Sequence, residues 1–154
     1  MKWEKDLNLQ QMDETLARVK QGALPPRPSA GWLKAIRTAL GMSTRSLGTR
    51  IGLSQARVSG IEKGEQEGSL TLNTLEKAAQ GLGCRVVYLL IPEAESLHAM
   101  RKTQALKKAR ALNQYAERHM ELEDQATDAR FREDTTHQLA EEYLRAWPRD
   151  FWDD

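Results

Sequence analysis

Apolar residues in the middle of the chain recur at helical spacing on both sides of a short break. Leu47 and Ile51 lie four positions apart and Val58 and Ile61 lie three apart, so each pair shares one face of a helix. Two such short helices, separated by residues 52–54, cannot bury their apolar faces alone. The pattern therefore predicts a helix-turn-helix unit closed by a helix on either side. The apolar residues expected to close this core are Trp32, Ile36 and Leu40 before the unit, and Leu72, Leu75, Ala79 and Leu82 after it.

The residues that bound these helices have the chemistry of helix ends. Ser43 and Ser54 precede the two apolar patterns, where a hydroxyl can accept a hydrogen bond from an otherwise unpaired backbone N–H. Gly52 follows the first pattern, where the chain needs a left-handed residue to leave the helix. Gly64 is predicted to end the second helix.

The polar face of the second helix predicts contact with DNA. Its outward side chains are small, amide-bearing or cationic, and no carboxylate interrupts them before Glu62. Glutamine and arginine read adenine and guanine edges in the major groove, so Gln55 and Arg57 are the base-reading candidates. A solvated helical face is the alternative for any one of these residues, but the complete cap–helix–turn–cap–helix pattern favours DNA. The candidate DNA-binding residues, at bases or at phosphates, are Thr44, Arg45, Ser54, Gln55, Ala56, Arg57, Ser59, Gly60 and Lys63.

The stretch GMSTRSLGTRIGLSQARVSGIEKG, residues 41–64, resembles the Cro/cI-type (xenobiotic-response-element) helix-turn-helix family without a gap. The resemblance implies a compact bundle of four or five helices, with residues 55–63 as the recognition helix. It also implies a structural pair between Glu62 and Arg37 of the first helix. Removing one partner of such a pair would strand the other charge, at a cost of about 3–5 kcal/mol.

Residues 84–92 (CRVVYLLIP) are rich in β-branched and aromatic side chains and end at a proline, which predicts one short strand. An isolated strand leaves backbone groups unpaired, and no other stretch of the sequence offers it an obvious partner. We therefore expect it to pair with its own copy across a two-fold axis, as a homodimer reading a palindromic operator requires. The alternative is a fifth helix of the bundle. The residues expected in the dimer strand are Val86, Val87, Tyr88, Leu89 and Leu90.

Helical segments flank this core on both sides. Apolar residues between Trp3 and Gln21 predict an amphipathic helix that packs on the C-terminal arm or on another subunit, although a solvent-exposed helix is also open. Residues from Glu93 to about Leu122 lack glycine and proline and predict a long helix, and Asp128 to Ala146 predicts another. The predicted fold is mainly α, with an N-terminal helix over 1–23, a proline-rich linker over 24–29, a DNA-binding domain over 30–83, a dimerisation strand over 84–92 and a helical C-terminal extension with an acidic aromatic tail over 93–154.

Charge is distributed unevenly along the 154 residues, although the formal net charge is only +1. Cations dominate residues 30–66, and carboxylates dominate the chain beyond Met120, which is typical of a basic reading head with an acidic tail. The single Cys84 excludes an internal disulfide and a cysteine-based zinc site. The chain opens without an apolar leader and has no long apolar run, so we expect a cytoplasmic protein.

No catalytic or cofactor-binding constellation is visible in the sequence. His98, His119 and His137 are scattered, and the four-residue spacing of His119 and Glu123 is common by chance. The chain has no nucleophile-elbow motif and no glycine-rich phosphate loop. We therefore expect no enzyme activity, no cofactor and no metal.

Taken end to end, the chain resembles the mobile mystery protein A family. The matching stretches are LNLQQMDETLARV, the two prolines before GWLKAIRTALGMS, SQARVSGIEKGEQEGSLTLNTLEKAAQGLGC, VVYLLIPE, MELEDQA and PRDFWDD. Members of that family are usually encoded beside a companion with a Fic/DOC-type domain. The resemblance implies the antitoxin and autoregulator of a toxin–antitoxin-like pair. The sequence has no copy of the [Ser/Thr]-x-x-x-Glu-[Gly/Asn] helix with which some antitoxins inhibit Fic enzymes.

The sequence thus predicts a sequence-specific transcriptional repressor that binds double-stranded DNA, with appended segments that bind a protein partner. The alternative is a protein-interaction module that keeps this fold and acts chiefly by binding and neutralising its toxin.

Overall fold

The structure, a computed structural model, describes residues 1–122 and 128–154, and this part of the chain forms seven helices. The predicted mainly helical fold is confirmed. The helices are α1 (Lys2–Gln21), α2 (Trp32–Ala39), α3 (Thr44–Ile51), α4 (Gln55–Glu67), α5 (Leu72–Gly81), α6 (Leu97–Leu122) and α7 (Ala129–Ala146). None of them is long and apolar enough to cross a bilayer.

The described chain divides into two compact units. Residues Ala23–Leu90 form one, which we call the helix-turn-helix unit. Met1–Gly22 and Ile91–Asp154 together form the other, which we call the extension unit. The second unit is therefore made from both ends of the sequence.

Branched aliphatic side chains fill the core of the helix-turn-helix unit. Leu47 and Val58, from the two helices of the predicted motif, are each 1 % exposed. Glycine permits a close helix contact beside them, since an added Cβ at Gly81 would lie 2.3 Å from Ile51 Cγ2. The buried core residues are Leu33, Leu47, Val58, Ile61, Ala78 and Leu82.

Three residues assigned to this core from the sequence lie at the surface. Trp32 is 41 % exposed, Leu40 is 59 % exposed and Leu72 is 51 % exposed. Trp32 and Leu72 are the first residues of α2 and α5, and Leu40 follows the last residue of α2, so all three lie at a helix end rather than on its buried face. The prediction missed Leu33 and Ala78, which are buried at these helix interfaces.

The predicted end of the second helix at Gly64 is wrong. Helix α4 continues to Glu67 and ends at Gly68, which has a left-handed φ of 76°. Gly64 is buried inside the helix, where an added Cβ would lie 3.4 Å from both Leu70 Cδ1 and Ser69 Oγ. The glycine therefore serves the close packing of the following loop rather than termination.

The predicted strand over residues 84–92 is absent, and so is the alternative helix. A strand is defined by its backbone partner, and within the described residues of one chain this segment has no ladder. Its apolar side chains are consequently left at the surface: Val87 is 70 % exposed and Leu90 is 80 % exposed.

The extension unit has a small core of alanines closed by the end of the chain. Ala105 and Ala109 of α6 and Ala140 of α7 bring the two helices together, and Phe151 fills the space beside them without exposure. Gln104 Nε2 donates to the Phe151 carbonyl at 3.0 Å. The end of the chain therefore packs on its own unit through Phe151.

Polar contacts hold α1 against α6. Both carboxylate oxygens of Asp13 accept from the start of α6, at 2.7 Å from the Leu97 N–H and 3.0 Å from the His98 N–H. Helix α1 itself has no buried residue. Because Asp13 and Ser96 together cap α6, the helix begins at Leu97 and not at the predicted Glu93.

A buried cation lies where α1, α6 and α7 come together. Arg101 is 4 % exposed, donates to Asp6 at 3.2 Å and to the Leu144 carbonyl, and stacks 3.5 Å from the ring centroid of Trp147. Burial lowers the pKa of the Arg101 guanidinium, and the Asp6 carboxylate opposes that shift. An arginine stays protonated at working pH despite such a shift, so a buried cation links the three helices.

Candidate nucleic-acid interface

The predicted motif is formed by α3, a tight turn and α4, and the predicted starts of both helices and the end of α3 are confirmed. Ser43 Oγ accepts from the Ser46 N–H at 3.0 Å, and Ser54 Oγ accepts from the Arg57 N–H at 3.1 Å. Gly52 takes the expected left-handed conformation, with φ 70° and ψ 33°. These local bonds fix where each helix begins and ends.

Gly48 in α3 allows the following turn to approach α3 closely. An added Cβ at Gly48 would lie only 2.4 Å from the Leu53 carbonyl oxygen, a backbone atom that cannot move aside alone. Leu53 N–H also donates to the Gly48 carbonyl at 2.8 Å. The angle between α3 and α4 therefore depends on the missing side chain at position 48.

The outward face of α4 is open to solvent. Its first turns expose short, amide and guanidinium side chains, and among the described residues neither Gln55 nor Arg57 enters an ion pair or a side-chain hydrogen bond. Thr44 is half-buried at the start of α3, beside exposed Arg45. The other candidate residues are all exposed: Ser54, Gln55, Ala56, Arg57, Ser59, Gly60 and Lys63.

Glu62, the first carboxylate along α4, is turned inward and neutralised. Arg37 Nε donates to Glu62 Oε1 at 2.5 Å, and Nη2 donates to Oε2 at 3.0 Å, a two-pronged contact. Arg37 also donates through Nη1 to the Met42 carbonyl at 2.8 Å. Hydrogen bonding to Glu62 raises the pKa of the Arg37 guanidinium, although burial opposes the shift. The outward face of α4 is thus left without the negative charge of Glu62.

A second buried carboxylate of α4 was not predicted. Glu65 is 8 % exposed, and its two oxygens accept from the Trp32 N–H at 2.8 Å and the Leu33 N–H at 2.9 Å. It therefore caps the start of α2, which has no cap of its own. Gly31 makes room for it, since an added Cβ there would lie 2.9 Å from Glu65 Oε2. In the sequence, the only sign of this contact is that Gly31, the residue before α2, has no side chain of its own to cap the helix.

Arg27 contacts the backbone near the end of α4. Its guanidinium donates to the carbonyls of Glu65 at 3.0 Å and Gln66 at 3.3 Å, near the end of α4. These two hydrogen bonds give Arg27 a structural role within the helix-turn-helix unit. Of His119 and Glu123, whose four-residue spacing is common by chance, Glu123 lies outside the described residues. The described residues contain no cluster of His, Cys, Asp or Glu fit to hold a metal ion.

The architecture defines the class of this domain: two short capped helices around a glycine turn, with a solvent-facing second helix, form a DNA-binding helix-turn-helix. In agreement, residues 33–89 match the family model described as Helix-turn-helix. This region is a Cro/cI-type domain of DNA-binding transcriptional regulators. Neither the curated proteins nor the solved structures that were compared contain a match to the chain.

Proposed function

We propose that the protein is a sequence-specific transcriptional repressor that reads its operator through the outward face of α4. The observation that carries this proposal is that the carboxylate of Glu62 is paired inside the fold, at 2.5 Å from Arg37. The exposed turns of α4 therefore present Gln55 and Arg57 with small neighbours and no opposing charge before Glu67. Such a surface complements both base edges and the phosphate backbone.

Roles follow from position along the motif. Gln55 and Arg57 reach base edges, while Ala56, Ser59 and Gly60 keep the helix close to the groove. Ser54 caps the helix at the DNA-facing end, and phosphate contacts come from the remaining three residues. These are Thr44, Arg45 and Lys63.

Electrophoretic mobility shift with the protein's own upstream DNA tests this proposal. Arg57→Ala should weaken binding to the cognate site by about 1–3 kcal/mol through the loss of one base contact, and the affinity for unrelated DNA should change little. Lys63→Ala should instead weaken binding to all sequences alike, and the slope of log affinity against log salt concentration should become shallower by about one. Equal losses on all sequences for Arg57→Ala would make it a phosphate contact and remove the base-reading assignment.

Homodimerisation through residues 86–90 belongs to the same proposal. The segment exposes apolar side chains, and its backbone forms no ladder with any described residue, so both features suit addition of the same segment from a second copy. The two-fold axis so formed would place two recognition helices on a palindromic site. Sedimentation equilibrium at micromolar concentration tests it, with Val87→Lys and Leu90→Lys expected to yield monomers. A wild-type monomer under these conditions contradicts the dimer.

The second candidate function is binding of a protein partner, with a Fic/DOC-type toxin as the proposed partner. Its support is that the sequence outside the helix-turn-helix unit folds into a compact unit of its own rather than a loose tail. Co-expression with the adjacent gene product, followed by purification of the pair, tests this role. If the partner binds and loses activity while operator binding is absent, the protein acts as a neutralising module; if the partner only strengthens operator binding, it acts as a co-repressor.

A further inference from the structure

The α6–α7 pair carries a second face, formed by residues other than those that hold the tail. It consists of an apolar pocket of about 150 Å³ and an adjoining polar groove of about 330 Å³. Asn113, Glu117 and Arg132 line both, so the two form one continuous surface. We call it the arginine face, and its key residues are Ala116, Met120 and Phe131 in the pocket and Arg110, Arg118 and Arg132 in the groove.

The cations of the arginine face are available for a partner. Arg110, Arg118 and Arg132 are exposed, and within the described chain none of them is in an ion pair. The lining carboxylate, Glu117, is half-buried and already engaged in interactions of its own. Phe131 stands beside the cations with 59 % of its surface exposed.

The floor of the groove is held in place from both helices. Asn113 Nδ2 of α6 donates to Thr136 Oγ1 of α7 at 2.7 Å, and Thr136 Oγ1 also donates to the Arg132 carbonyl at 2.8 Å. Thr136 is buried. Because this bond ties the helices together, arginines from α6 and α7 are presented at fixed spacing.

The same helix pair already binds one segment with an aromatic anchor. In the tail, Phe151 is fully buried against α6 and α7, while Lys107 pairs with the Asp154 carboxylate and Lys108 donates to the Asp150 backbone carbonyl. These helices thus hold an aromatic side chain in an apolar site and a carboxylate on a nearby cation. The arginine face repeats both components, cations and an apolar pocket, and no described residue occupies the pocket or forms an ion pair with the three arginines.

We propose that the arginine face binds an acidic segment of a partner protein that carries an aromatic or aliphatic anchor residue. The anchor enters the pocket beside Phe131, and carboxylates of the segment pair with Arg118 and Arg132. A nucleic-acid backbone would use the arginines but not the apolar pocket, so the combination favours a peptide. The proposal rests on the proposed function only in assigning protein binding to the extension unit, and it does not require the toxin to be the partner.

Fluorescence anisotropy with the full-length protein tests this binding. The probe is a labelled synthetic peptide rich in glutamate around a central phenylalanine, and its control is the same peptide with every glutamate replaced by glutamine. We expect saturable binding of the glutamate peptide and a loss of about tenfold for the glutamine peptide. The double variant Arg118→Ala/Arg132→Ala should bind the glutamate peptide about tenfold more weakly than wild type, because it removes two exposed ion pairs.

The matched control is the double variant Arg18→Ala/Arg130→Ala, which removes the same charge from exposed positions outside the face. It should bind the glutamate peptide as wild type does, and Arg57→Ala should also bind it while its operator affinity falls. The proposal is overturned if both double variants lose affinity equally, if the two peptides bind alike, or if no saturable binding occurs. Competition by random-sequence duplex DNA that depends on Arg118 and Arg132 would instead make the face a nucleic-acid surface and also overturn it.

Discussion

The two units are stabilised by different means. The helix-turn-helix unit buries leucine, isoleucine and valine side chains and positions its helices with capping hydroxyls and close-packed glycines. The extension unit buries little more than alanines and Phe151, and it relies on long-range polar contacts made by Asp13 and Arg101. The first arrangement is made by one continuous stretch of sequence, whereas the second needs residues from two separate stretches.

The difference bears on function. A recognition helix must be held at a fixed angle to fit a groove, and a branched, close-packed core provides that rigidity. The surface that we propose to bind a protein partner lies instead on a frame of polar contacts and alanine packing. The following predictions challenge this contrast, from the largest expected effect to the smallest.

Phe151→Ala should have the largest effect because it empties the centre of the extension-unit core. Loss of a fully buried phenylalanine costs about 3–5 kcal/mol of unfolding free energy. Hydrogen exchange read by mass spectrometry should show lost protection in α6 and α7 but not in α3 and α4. Trp152→Ala, which alters an exposed neighbour, is the control. Uniform loss of protection across both units would break the contrast.

Glu62→Ala should destabilise the helix-turn-helix unit by about 3 kcal/mol, because it leaves the Arg37 guanidinium buried without its carboxylate. Thermal unfolding followed by circular dichroism measures the loss. Glu67→Ala removes a carboxylate from the same helix whose contact with Lys63 is exposed, so it should change the stability by less than about 1 kcal/mol. An unchanged melting temperature for Glu62→Ala would contradict a structural role for the pair.

Arg101→Ala should cost about 2 kcal/mol or more, since it removes the donor to Leu144 and leaves a void under Trp147. Arg101→Met should recover much of that loss, because an apolar chain of similar length can fill the space without a buried charge. Chemical denaturation of the two variants separates packing from charge. Equal destabilisation by both would show that the cation itself, through Asp6 and Trp147, is what the unit requires.

Gly60→Ala should produce the smallest change in stability and the clearest change in function. Nothing lies within 4 Å of an added Cβ, so alanine should stabilise α4 by about 0.5–1 kcal/mol. The same methyl group would stand between the helix and the groove, so operator affinity should fall. Gln66→Ala, at the exposed end of α4, should leave operator affinity unchanged. Unaltered affinity in Gly60→Ala would mean that this face does not approach DNA closely.

Local chemistry made much of the helix-turn-helix unit predictable. The capping roles of Ser43 and Ser54 and the left-handed Gly52 depend on neighbours within a few residues, so the sequence alone indicated them. The pairing of Arg37 with Glu62 was predicted from a family resemblance and not from the local pattern. Gly64 misled the prediction because its small size serves packing, which the local pattern cannot distinguish from helix termination.

The extension unit was less predictable for a physical reason. The contacts of Asp13 with the start of α6 and of Arg101 with Leu144 join residues that are far apart in sequence, and a single carboxylate or guanidinium carries no signal of its partner. The strand over 84–92 was predicted from composition, but strand formation requires a partner backbone, which the described residues of one chain do not supply. The candidate DNA contacts stay predictions until they are tested on DNA.

The discontinuous make-up of the extension unit has a consequence for biosynthesis. Helix α1 leaves the ribosome before Ala23–Leu90, and the start of α6, which Asp13 caps, is translated only after that whole stretch. At about 5–20 residues per second, α1 waits seconds without its partner, while the intervening unit already has its own core available. A nascent chain can therefore complete its helix-turn-helix unit before α1 meets α6.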